Sequence, residues 1–155
     1  LVRWVAARLR SLSSRLVAGE TERAVFRREA GGLAALGPDP APAGEEMLVG
    51  LAAAARRLAT WRLVPEAAVA AFQASLAGLS GPGAPPSASR ALEDAVRGGF
   101  PAQVASLVEL LGDPDVEDGA LKEATLRLTV GGTRPGADAL AGIIALVRDV
   151  ALGPL

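Results

Sequence analysis

At 155 residues, with half of them apolar and a formal net charge of −1, the chain has the length of one domain and the material for a buried core. That balance excludes a disordered acidic or basic chain. The absence of His, Cys and Tyr removes the imidazole base, the thiolate nucleophile, the phenolic acid, thiol redox chemistry, disulfides and the usual zinc site.

Leu1, Val5, Leu9, Leu12 and Leu16 step by three and four, which is one face of an amphipathic helix, and Gly19 is its stop. Thr21 is placed to cap a second helix carrying Val25, Phe26, Leu33 and Leu36, with Gly31 and Gly32 weakening its middle. A Pro- and Gly-rich linker, 37–44, follows. Glu45 and Glu46 suit the positive end of a third helix whose stripe is Met47, Leu51, Ala54, Leu58 and Trp61. Pro65 opens a fourth, with Val69, Phe72, Leu76 and Leu79 on one face.

A second Pro- and Gly-rich linker, 80–89, ends where Ser87 or Ser89 caps a short helix through Leu92, Ala95 and Val96, stopped by Gly98 and Gly99. Pro101 opens the next, with Val104, Leu107, Val108 and Leu111. The acidic run Asp113 to Asp118 begins another, ending at Val130 before Gly131 and Gly132. Pro135 opens the last, with Leu140, Ile143, Ile144, Val147 and Ala151. No period-two alternation is sustained, so the predicted class is all-α, with seven to eight short helices. The expected organisation is a single domain, 1–155, made of basic N-terminal helices over 1–36, a hairpin over 45–79 and further hairpins over 90–155. The helices form either stacked hairpins or an irregular bundle.

Pro65, Pro101 and Pro135 lie 36 and 34 residues apart, a spacing that suits a two-helix repeat. The stretch from Gly99 to Leu128 adds a Gly and a Pro before a helix with Leu107, Val108, Leu110 and Leu111. Asp113 and Asp115 lie in the turn, and Val116, Ala120 and Ala124 follow at helical spacing. This stretch resembles an armadillo or HEAT repeat. The resemblance implies stacked helical hairpins and protein–protein contact. The chain has no Asn, the residue many armadillo repeats use to hold a peptide backbone, so that mode of capture is not implied.

Candidate sites are few. From Asp113, a helix–loop–helix calcium register would need Gly at position 118 and Glu at position 124. Those positions hold Asp and Ala, so the acids read as a helix N-terminus. The paired glycines lack the GxxxxGK pattern and follow no strand, so no phosphate loop is present. Lys122, the single lysine, reads as surface charge.

Residues 1–28 carry seven Arg against two Glu, whereas residues 101–155 carry eight acids against four basic residues. Arg3, Arg8, Arg10 and Arg15 are candidates for electrostatic contact. The basic excess is too small and the aromatics too few for a nucleic-acid surface, and the first helix serves a core as well as it would a membrane surface. Trp4, Phe26, Met47, Trp61, Phe72 and Phe100 are candidates for a partner or pocket surface.

No membrane-length apolar stretch or secretion signal is apparent, so a soluble, cytoplasmic chain is expected. It opens at Leu1 rather than Met, as a piece of a larger protein would. The Ala, Gly, Pro and Arg bias is that of a high-GC coding sequence. No catalytic residue, cofactor or metal is predicted. The reading from the residues is a non-enzymatic helical interaction, adaptor or assembly module whose partner is another protein or a second copy. The alternative is a ligand-sensing helical domain with an apolar pocket. A carboxylate enzyme would need two acids buried together.

Overall fold

The computed structural model describes residues 1–36, 43–79, 86–130 and 134–153, and every regular element among them is a helix. In chain order these are α1 (Val2–Ala18), α2 (Arg23–Ala34), α3 (Ala43–Thr60), α4 (Glu66–Ser75), α5 (Pro86–Val96), α6 (Ala102–Val108), α7 (Asp118–Val130) and α8 (Arg134–Leu152). The all-α class is therefore as predicted. α1 stops where expected: Gly19 has φ 83°, a left-handed conformation open to glycine, and its N–H closes the last turn. Pro65 and Pro101 are the N-caps of α4 and α6.

Four predicted helix starts move, and α2, α4 and α6 end earlier than predicted, so that Leu36 lies beyond α2, Leu76 and Leu79 beyond α4 and Leu111 beyond α6. Thr21 does not cap α2; the N-cap is Glu22, and the Glu20 carboxylate instead accepts from the backbone N–H groups of Thr21 and Glu22, both at 3.0 Å. Ala43 and Gly44, assigned to the first linker, are the first turn of α3; residues 37–42 of that linker lie outside the described residues. Pro86 to Ser89, assigned to the second linker, belong to α5, so neither serine precedes it; residues 80–85 lie outside the described residues. Among the acids expected to start α7, only Asp118 is within it. The stop at Gly131 and Gly132 also lies outside the described residues.

α3 is the centre of the fold. Its predicted stripe understates it, because Leu48, Val49, Gly50, Ala52, Ala53 and Ala55 are buried as well. A helix apolar on every side belongs inside, and α3 packs against α2, α4, α5, α6 and α8. α1 rests on α2, α4 and α8, while α7 packs on α6 and α8. Around this axis Phe26 and Phe72 meet edge to face with ring centroids 5.4 Å apart. The buried Gln73 Nε2 donates to the Ala95 carbonyl at 2.9 Å, tying α4 to α5.

α3 and α8 approach through glycine. A Cβ on Gly50 would stand 2.0 Å from the Ala139 carbonyl oxygen, and one on Gly142 would stand 2.0 Å from the Met47 carbonyl oxygen. Neither obstacle is the end of a flexible side chain, so relief requires the helices to part. Gly50→Ala and Gly142→Ala are each expected to lose about 2–3 kcal/mol in denaturant unfolding, despite a gain in helix propensity of about 1 kcal/mol. Gly119→Ala, in open space at the start of α7, is expected to gain about 0.5 kcal/mol.

Candidate functional site: a rigid Trp-Arg-Leu turn

α3 ends in a turn that a non-glycine residue closes. Arg62 has φ 59°, in the left-handed region. The N–H groups of Arg62 and Leu63 donate to the carbonyls of Ala59 and Leu58, both at 3.0 Å. This is the closing geometry that glycine usually supplies, and it costs an L-residue about 1–2 kcal/mol. The turn aims Trp61, Arg62 and Leu63 outward together, with Trp61 42% and Leu63 46% exposed. Val64, immediately after, is buried and anchors them.

The indole is held on two sides. The Arg57 guanidinium carbon lies 5.5 Å from the centre of the Trp61 ring, and Arg57 Nη2 donates to the Glu109 carbonyl at 2.6 Å. On the other side Gly112 leaves room for the ring: a Cβ there would lie 2.6 Å from indole Cδ1. The turn after α6 thus presses the tryptophan against α3. An exposed aromatic fixed in one orientation loses little conformational entropy on contact with a partner.

The other predicted residues fall in several places. Phe26 and Phe72 are fully buried core. Met47 is half-buried where α3 meets α8, and Phe100 is half-buried at the corner between α5 and α6. Trp4 is 38% exposed and packs on Gly32; Arg8 lies over its ring at 5.1 Å and pairs with Glu29 at 2.7 Å. Arg15 reaches Glu20 at 3.6 Å, so two of the four predicted contact arginines are engaged within the N-terminal helices, while Arg3 and Arg10 are exposed. The structure brings Trp61 together with Arg57, Arg62 and Leu63, which sequence reasoning missed. The available signal was the position of Trp61, Arg62 and Leu63 beyond the last buried position of the α3 stripe.

Acids also gather at the start of α3. Glu45 is buried, and burial, with the charges of Asp138 and then Glu45, pushes the Glu46 carboxyl above the usual carboxylate range. Two further features stand apart: the buried Asp149 beside Arg148, and the exposed Leu126 and Val130 on α7. Among the described residues no group of acids has a metal-holding arrangement, and no helix is long and apolar enough to cross a membrane. No family model, curated protein or solved structure matches the chain.

Two outcomes follow from this geometry. Arg62→Gly is expected to be neutral or stabilising, whereas Arg62→Val, β-branched in a left-handed position, loses about 1–2 kcal/mol in chemical denaturation. Folded Glu46 holds its proton more tightly than the unfolded chain does, so its contribution to stability is fully present below 4.5 and is lost as pH rises through the raised folded value. Glu46→Gln should therefore melt above the wild type at neutral pH, and the difference should close as the solution is acidified.

Proposed function

We propose that this chain is a non-enzymatic helical interaction module that docks through the turn at the end of α3. The observation that carries the reading is the exposed Trp61, braced by Arg57 and Gly112 and flanked by Arg62 and Leu63. Tryptophan and arginine are the residue types that most often dominate binding energy at protein interfaces. A non-glycine residue in the left-handed position that closes α3 carries a cost glycine would avoid, and residues held at such a cost cluster at binding and switch regions. The partner is another protein or a second copy of the chain. The hairpin-like pairing of α6 with α7 supports the armadillo- or HEAT-like reading of residues 99–128.

A second reading, a ligand-sensing domain, draws support from a concavity of about 580 Å³ lined by Phe100 at the α5–α6 corner. Phe26 and Phe72 do not serve it, because they close on each other in the core.

The test is Trp61→Ala combined with Leu63→Ser. Neither side chain belongs to the buried core, so the double variant should still fold and melt cooperatively, at a temperature lowered by several degrees because the covered face of the indole is lost. Association, whether with copies in light scattering or with a purified partner identified by crosslinking, should weaken by at least about tenfold, as for a surface hot spot. Association unchanged in the double variant would end the reading.

A further inference from the structure

We propose that a basic groove runs from the α3 turn to the α5–α6 corner and takes an extended, acidic segment of a partner protein. The proposal rests on the interaction reading above and names the chemistry of the partner. Three concavities lie in sequence along this side. The first, about 380 Å³, is lined by Arg62, Val64 and Glu66. The second, about 260 Å³, shares Ala59 and Glu66 with the first and adds Arg56 and Gln73. The third, about 580 Å³, holds Arg90, Asp94, Arg97 and Phe100. Arg56 joins the second to the third. Its guanidinium lies so close to Gly98 that a Cβ there would be 2.0 Å from Nη1, and Gly98 lines the third concavity.

Charge along the path is net positive. Arg56, Arg62, Arg90 and Arg97 face two carboxylates, Glu66 and Asp94. The ion pairs among the described residues are Arg8–Glu29, Arg15–Glu20, Arg127–Glu123 and Arg148–Asp149, so none of the four groove arginines is neutralised by one. Arg90 and Asp94, spaced i and i+4, share one face of α5, and Arg97, in the turn just past its end, lines the same concavity. Guanidinium forks bind carboxylates bidentately, and several along one groove select a ligand with several acids.

The form of the ligand follows from the floor of the groove. Linked shallow concavities fit an extended chain better than a compact small molecule, which a single deep cavity would hold. Glu66 and Asp94 interrupt the positive charge, so acids on the ligand must alternate with neutral residues. That same interruption opposes a continuous phosphate backbone, and Phe100, the one aromatic ring lining these concavities, is half-buried rather than offered for base stacking. Phe100 with Ala91 and Pro101 forms an apolar wall, which suits one aliphatic or aromatic anchor between the acids.

The experiment uses the full chain with Trp4→Phe, which leaves Trp61 as the single indole. The probe is a fluorescein-labelled peptide of about twelve residues, with Glu at alternate positions and one central Leu. Its companions are the same peptide with Gln for Glu, an oligothymidylate of equal charge, and vesicles containing phosphatidylserine. The acidic peptide should bind saturably, shift Trp61 emission and weaken as salt is raised. The Gln peptide should bind at least about tenfold more weakly, and Arg56→Gln with Arg97→Gln should cost a similar factor. Arg3→Gln with Arg10→Gln, away from the groove, should change little.

The groove falls if the acidic peptide does not saturate, if the Arg56 and Arg97 variants bind it unchanged, or if oligothymidylate or vesicles bind as tightly through the same arginines. A partner lost on Trp61 and Leu63 substitution but kept by the Arg56 and Arg97 variant would overturn the groove alone. Peptide binding unaffected by Trp61 and Leu63 substitution, with partner association also unaffected, would overturn the α3-turn reading and leave the groove standing.

Discussion

The contact on which the molecule depends is the approach of α3 to α8 at Gly50 and Gly142. With hydrogen in place of a side chain, each glycine lets the neighbouring helix bring a backbone carbonyl to where a Cβ would be. Such proximity gives dense van der Waals contact, and it admits Cα–H···O contacts of about 0.5–1 kcal/mol each. It also narrows the centre of the fold, so that short residues fill it. The run of alanines on α3, Ala52 to Ala55, is buried without exception. Four consecutive helical residues point to all sides, so larger side chains there would press on the helices that surround α3.

A centre built this way has consequences at its rim. α3 is surrounded by α2, α4, α5, α6 and α8, so its C-terminal end emerges among several neighbours at once. There the helix closes on Arg62 in a left-handed conformation, and the turn after α6 meets it through Gly112 and the Glu109 carbonyl. Rigid surroundings can sustain a strained turn because the packed elements around it over-determine its backbone. The same convergence lays α4, α5 and the α5–α6 corner beside one another, which produces the chain of concavities carrying Arg62, Arg56, Arg97 and Arg90. The arginines of the N-terminal helices serve differently. Arg8 is drawn into a pair with Glu29 and over the face of Trp4, so part of the basic character of α1 is spent inside the molecule.

Much of the fold was legible because its signals are local. Gly19 ends α1 and Pro65 and Pro101 precede α4 and α6, since φ preference and a missing N–H act on the residue that carries them. The boundaries that moved are those where another group competes: the Glu20 carboxylate takes the N–H groups that Thr21 was expected to organise around, and the linker ends at Ala43 and Pro86 were read from composition, which does not exclude a helical first turn. The α3 stripe was under-read for a different reason. Alanine and glycine carry little hydrophobic signal, so a helix buried on all sides by small residues looks like one buried on a single face. In the candidate site, Trp61 was recognised by type; Arg57, four residues before it, was within reach of helical spacing, but Gly112 was not, because its contact with Trp61 spans more than fifty residues of chain.

The sequence by itself determined the helical class, the helix ends marked by Gly19, Pro65 and Pro101, the chemistry that missing residue types forbid and the polarity of charge along the chain. Each of these depends on single residues or on spacing within one helix. Tertiary structure decided which small residues are the centre, that Phe26 and Phe72 are core rather than pocket, and that Arg8 is used internally. It also decided that arginines from α3 and α5, with Arg62 at the turn, share one side. The physical reason is the same throughout: how closely two helices approach is set by the carbonyl of one meeting the hydrogen of a glycine on the other, and neither chain segment carries that distance alone.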